Sequence, residues 1–145
     1  MILISHRGNI NGKQPELENS PDYILNAIEL GYDVEIDIHI SNGEIFLGHD
    51  ESQYQISLNW LENLSDKLWV HCKNIEAVEF FTMNDNNLNY FWHQEDMVTL
   101  TSKKYIWAYP GNQPIKNSIA VLPEWLDDDV ESCMGVCSDF IENYK

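Results

Sequence analysis

The chain has 145 residues, which allows one domain with a real core and leaves little room for a second. A hydrophobic fraction of 43% and an aromatic fraction of 12% exclude a disordered chain. A formal net charge of −16 argues against nucleic acid and anionic membrane as partners, because both need a basic surface.

No apolar run reaches bilayer-spanning length, so no membrane insertion is expected. Residues 1–7 lack a basic leader and a long apolar stretch, and read as a strand rather than a signal peptide. The expectation is a cytoplasmic protein, folded over 1–145 as a single domain, with Cys72, Cys133 and Cys137 as free thiols.

Residues 2–7 predict a short buried strand ending at His6-Arg7-Gly8, where Gly8 permits a sharp exit. A polar loop follows over 9–19. Ser20-Pro21 is an N-cap and first-turn pair, and the apolar spacing of Tyr23, Ile24, Ala27, Ile28 and Leu30 predicts a helix stopped by Gly31. Residues 33–40 alternate strictly. Val34, Ile36, Ile38 and Ile40 face one way, and Glu35, Asp37 and His39 the other. Asn42-Gly43 is a hairpin signal, so 44–48 returns as a strand and delivers His49-Asp50 close to Glu35 and Asp37. A short helix is expected over 57–64, a strand over 68–73 and a helix over 75–84. Strands are expected over 89–93, 97–101, 105–109, 119–122 and 135–140. The acidic run Asp127-Asp128-Asp129 reads as a solvated loop or helix start.

Strand–helix alternation in the first half, and strands with only turns in the second, suggest a compact (β/α)8 TIM-type barrel with several outer helices reduced or missing. Missing helices would expose apolar barrel wall, and a homodimer is one way to cover it.

Arg7 is the sole arginine. A guanidinium presents a fixed fork of donors that fits phosphate oxygens, so a phosphate ligand is the reason to keep one. Together, His6-Arg7-Gly8, Glu18-Asn19-Ser20, Glu35-x-Asp37, the Asn42-Gly43 hairpin and His49-Asp50 resemble the glycerophosphodiester phosphodiesterase family, of the phospholipase-C-like phosphodiesterases. The resemblance is tight over 2–50, moderate at 69–73, and loose at 105–112 and 135–139. It implies a barrel that hydrolyses a small glycerophosphodiester to an alcohol and a phosphomonoester such as glycerol 3-phosphate. By that resemblance His6 and His49 are the general acid/base pair, and Arg7 and Lys73 bind the substrate phosphate. Glu35 and Asp37 would be ligands of a divalent cation, Mg2+ or Ca2+, with Mn2+ an alternative.

One departure stands out. Where the family has Glu-x-Lys, with the glutamate as third metal ligand, this chain has His71-Cys72-Lys73. An imidazole ligates, but it is softer than carboxylate and poorly suited to Ca2+. His71 therefore reads either as the third ligand or as a core histidine. His93 at the end of its strand reads as either a mouth residue or a structural one. Two other functions stay open: a non-catalytic barrel that binds a phosphate ligand, and a phosphodiesterase or lyase acting on a sugar- or nucleotide-linked diester.

Overall fold

The computed structural model describes residues 1–145. In chain order it contains β1 (Ile2–His6), α1 (Pro21–Glu29), β2 (Asp33–Ser41), β3 (Glu44–Leu47), β4 (Tyr54–Ile56), α2 (Leu58–Asn63), β5 (Leu68–Cys72), α3 (Ile75–Met83) and β6 (Asn89–Trp92). The chain then continues through β7 (Val98–Leu100), β8 (Ile106–Ala108), β9 (Ser118–Val121) and β10 (Gly135–Ser138). Short 3-10 turns lie at Pro123–Trp125 and Ile141–Tyr144. The helix starts follow local chemistry. Ser20, Ser57 and Asn74 each accept a hydrogen bond from the backbone three residues on, at Tyr23, Trp60 and Ala77.

All ten strands join one mixed sheet. The strands β6-β5-β2-β1-β10-β9-β8 are neighbours in parallel. The hairpin β3-β4 hangs antiparallel from the outer half of β2. At the other end β7 runs antiparallel to β8. The sheet curls into a half-barrel. Its two ends are tied by isolated hydrogen bonds instead of a ladder: Ser102 N–H donates to Tyr90 O at 2.8 Å, and the Thr99 hydroxyl donates to Trp92 O at 3.0 Å.

The expected (β/α)8 TIM barrel is therefore not the fold. Helices follow only the early strands, and β7 points against the parallel run. The reason is chain length. Residues 93–97 and 101–105 are the whole connections on either side of β7, whereas a parallel crossover takes about a dozen residues or more. So short a link can only turn the chain back. No helix is long and apolar enough to cross a membrane. The three cysteines are free thiols, as expected.

Alternation along each strand sorts the core into two layers. Val34, Ile36, Ile38, Ile40, Val70 and Cys72 face outward and pack under the helices with Ile24, Ala27, Ala77 and Phe81. The opposite face turns into the concavity. There Ile4, Trp69, Phe91, Trp107, Ile119 and Cys137 form an apolar plug. The next inward-facing positions, nearer the carboxyl ends of the parallel strands, are His6, His71, His93, Tyr109, Val121 and Asp139. Ligands bind at that end of parallel sheets. The plug closes the floor beneath it.

The β3 exit positions His49. Gly48 has φ +148°, its N–H donates to Asp37 O at 3.1 Å, and a Cβ there would stand 1.9 Å from the Glu51 carbonyl oxygen. Gly48→Ala is expected to lower stability by about 1–3 kcal/mol in urea denaturation, and to displace His49. A fully stable Gly48→Ala protein would show that the turn relaxes freely.

Candidate active site

A cavity of ≈ 470 Å3 opens at the carboxyl ends of the parallel strands. His6, Arg7, Glu35, His49, His71 and Lys73 all line it, together with Lys13 and His93. Asp37 lies just behind the wall and is fully buried. Every site residue expected from the sequence is thus at one place, although it comes from β1, β2, β5 and the turn after β3.

Glu35 and Asp37 sit on the inward face of β2, and His71 faces them from β5, where Asp37 and His71 are register partners. His71 Nδ1 is 3.3 Å from Asp37 Oδ1 and 3.6 Å from Glu35 Oε1. The donor atoms of the three residues lie within 4.8 Å of one another. Donors held at about 2.0–2.4 Å by one cation stand no more than about 4.8 Å apart, so the cluster has the size of a single-ion site. Its oxygens are also unsatisfied. Asp37 Oδ1 and Glu35 Oε2 are buried with no hydrogen-bond partner. Buried carboxylate oxygens are costly when unpaired, so this donor set fits a divalent cation.

The remaining oxygen of Asp37 is occupied. Asp37 Oδ2 accepts from Asn19 Nδ2 at 2.9 Å, while Asn19 Oδ1 accepts from the Asp37 backbone N–H at 2.9 Å. Arg7 Nε stands 2.9 Å from the same Oδ2, close enough to pair electrostatically but not aimed as a hydrogen bond. Burial alone would raise the Asp37 carboxyl. The neighbouring His71, Arg7 and Asn19 outweigh it and hold the group well below the usual carboxylate range. Arg7 Nη1 donates to Glu18 Oε2 at 3.2 Å, so the guanidinium is braced from both sides.

For His71, burial favours the neutral ring, but the two carboxylates outweigh it and push the pKa up to about 9. The folded value lies above the ordinary 6.5, so this proton adds stability that is fully present below pH 6.5 and is lost as pH rises through about 9. In EDTA, stability should fall by up to about 3 kcal/mol between pH 6.5 and 9.5, measured by urea denaturation. His71→Gln should lack that slope. An identical slope in the variant would assign it to other groups.

His6 is held from behind. Its Nδ1–H donates to Asp139 Oδ1 at 2.7 Å, so Nε2 is turned to the cavity, 3.8 Å from Glu35 Oε2. Asn9 Nδ2 donates both to Asp139 Oδ1 at 2.8 Å and to Glu18 Oε1 at 2.9 Å, joining the His6 and Arg7 supports into one network. Burial would raise the Asp139 carboxyl, but the His6 and Asn9 contacts win and hold it below its ordinary value. His49 stands at the rim, half-exposed, with Nδ1–H donating to Asp50 Oδ1 at 2.8 Å, which leaves its Nε2 free. The His39 ring, on the same strand face as Asp37, bonds the His49 carbonyl at 3.2 Å and acts as a strut.

The other wall is aromatic. Trp92, Trp107, Tyr109 and Trp125 line it. Tyr109 stacks on His93 with ring centroids 3.4 Å apart. Burial and the Glu35 charge push its phenol well up, so it faces the cavity as a neutral hydroxyl. Backbone strain gathers at this end of the molecule, with left-handed conformations at Arg7 (φ 56°), Asn19 (φ 63°) and Leu122 (φ 46°).

Sequence reasoning assigned no role to Asn9, Lys13, Glu18 or Asp139. For Asp139 a signal existed: it shares strand parity with Gly135 and the core residue Cys137. Asn9 and Lys13 lie in a loop with no periodicity to read. The acidic run 127–129 is loop structure, with Asp128 accepting from Gly111 N–H and Asp129 from Glu131 N–H. Comparison of the chain with protein-family models, with curated proteins and with solved structures gives no match.

Proposed function

We propose that this protein is a cation-dependent phosphodiesterase that cleaves a small glycerophosphodiester-like substrate, releasing an alcohol and a phosphomonoester. The observation that carries the reading is convergence. Residues as far apart in sequence as His6, Glu35, His49, His71 and Lys73 line one cavity, and the glycerophosphodiester phosphodiesterase resemblance implies complementary roles for them. The charge distribution agrees with it. Arg7, Lys13 and Lys73, three of only eight Lys and Arg residues in a chain of net charge −16, line this one cavity. Cations so scarce and so placed suit an anionic ligand.

Glu35, Asp37 and His71 would hold a divalent cation, which when bound neutralises phosphate charge. Arg7 and Lys73 take the phosphoryl oxygens; Asp37 and Glu18 fix the guanidinium so that its fork does not swing away. His6 Nε2 accepts the proton of the attacking oxygen, which is water; where a neighbouring hydroxyl of the substrate attacks first, the product is a cyclic phosphate that a water must then open to the phosphomonoester. Asp139 holds that imidazole in the right tautomer and stabilises the imidazolium that forms. The new oxygen–phosphorus bond forms as the bond to the leaving oxygen breaks. His49, protonated at Nε2, gives its proton to the departing alcohol. Its place at the rim, next to solvent, lets it be reprotonated.

The alternative, a barrel that binds phosphate without turnover, requires a site broken at its third ligand position. His71 Nδ1 is directed at Glu35 and Asp37, which favours the catalytic reading. The test is release of p-nitrophenol from bis(p-nitrophenyl) phosphate, and of alcohol from glycerophosphodiesters, with Mg2+, Ca2+, Mn2+ or EDTA. Cation-dependent release that vanishes in Glu35→Gln is expected. No release with any cation, together with calorimetric binding of glycerol phosphate, would replace the hydrolase by the binding protein.

A further inference from the structure

We infer that Glu35, Asp37 and His71 select a borderline transition ion, of the Mn2+, Fe2+, Co2+ and Zn2+ class, over Mg2+ and Ca2+. The inference rests on reading this cluster as a cation site, but not on phosphodiester turnover. Its basis is how His71 is held. The Nε2–H donates to the carbonyl oxygen of His93 at 3.1 Å. That bond fixes the tautomer, so in the neutral ring Nδ1 carries the lone pair, and Nδ1 is the atom facing the two carboxylates. The ring cannot readily turn away. It stacks on Phe91 with centroids 5.0 Å apart and planes 17° from parallel, and the residue is buried.

The oxygen supply is correspondingly small. Asp37 Oδ2 is spent on Asn19 and Arg7. Beneath the cluster lie Trp69, Phe91 and Trp107, which offer no oxygen donors. Ca2+ takes six to eight oxygens, and Mg2+ favours oxygen in a near-ideal octahedron. A fixed imidazole nitrogen with two carboxylate oxygens suits the later first-row ions instead, in the order Mn2+ < Fe2+ < Co2+, with Zn2+ above Mn2+. The orphaned Asp37 Oδ1 and Glu35 Oε2 supply the charge that keeps such an ion from leaving.

The test uses the full chain stripped with EDTA. Calorimetric titration with Mg2+, Ca2+, Mn2+, Co2+ and Zn2+ should give Co2+ and Zn2+ as the tight ligands. His71→Glu, which restores a third carboxylate, should shrink the Co2+/Mg2+ affinity ratio by on the order of 10–100-fold. An unchanged ratio in that variant overturns the inference. If His71→Glu does not fold, the native chain still decides. Electron spin echo spectroscopy of the Mn2+-loaded protein should show imidazole nitrogen coupling that is lost in His71→Gln. Absence of that coupling, its persistence in His71→Gln, or no binding of any of these ions overturns the inference. Failure of the hydrolase reading looks different: selective Co2+ binding with nitrogen coupling, but no cleavage of any diester. Turnover supported equally well by Mg2+, without nitrogen coupling, fells the inference and leaves the hydrolase.

Discussion

For the proposed phosphodiester cleavage, His6→Gln is expected to lower kcat by about 10²–10⁴-fold, the usual contribution of one well-placed proton acceptor. The imidazole is oriented before substrate arrives. Asp139, itself fixed by Asn9, accepts from Nδ1–H at 2.7 Å, and Nε2 is directed into the cavity. Glutamine can keep a hydrogen bond to Asp139 but has no basic nitrogen, so the fold survives and the proton transfer does not. Steady-state kinetics on bis(p-nitrophenyl) phosphate at saturating cation, with circular dichroism to monitor the fold, measures this directly. Affinity for glycerol phosphate should change little, because Arg7 and Lys73 are untouched. A kcat within tenfold of the native protein's would remove His6 from the proposed proton transfer.

Asp37→Ala costs about 3–5 kcal/mol of stability, and Glu35→Gln costs clearly less, about 1 kcal/mol. The two acids are neighbours on one strand face, yet their surroundings differ. Asp37 is fully buried, faces the Arg7 guanidinium at 2.9 Å and exchanges two hydrogen bonds with Asn19. Removing it leaves a buried cation short of a partner and two Asn19 groups unpaired. Glu35 has no side-chain hydrogen bond; its Oε2 is unpartnered, 3.8 Å from His6 Nε2, and its Oε1 stands 3.6 Å from His71 Nδ1. Its neutralisation removes one of the two carboxylates beside the His71 ring but leaves Asp37 in place as the other. Urea denaturation in EDTA separates the two variants. Equal losses in both would mean that the net charge of the cluster, and not the Arg7–Asp37 pairing, decides stability. Both variants should lose cation binding, so Glu35→Gln is the one that removes it at small cost in stability.

The alternation Asp33–Ile40, the Asn42-Gly43 hairpin and the caps at Ser20, Ser57 and Asn74 are short-range effects. They act between residues a few positions apart, which is why most strands and all three α-helices were legible from residue order. The site histidines, carboxylates, Arg7 and Lys73 could be singled out because each stands at a strand end or on a strand's polar face. The architecture could not be read the same way. A (β/α)8 barrel and this half-barrel share nearly the same list of strands; they differ in whether a connection is long enough to cross over, and at β7 it is not. The supports of the site were equally hidden. Asp139 reaches His6 across a separation of 133 residues and Asn9 across 130, and no local pattern encodes a hydrogen bond at that range. The His93 carbonyl that sets the His71 tautomer is a backbone atom, without any residue signature at all. Residue chemistry thus named the candidate groups, and only the curl of the sheet decided which atoms face one another and what holds them there.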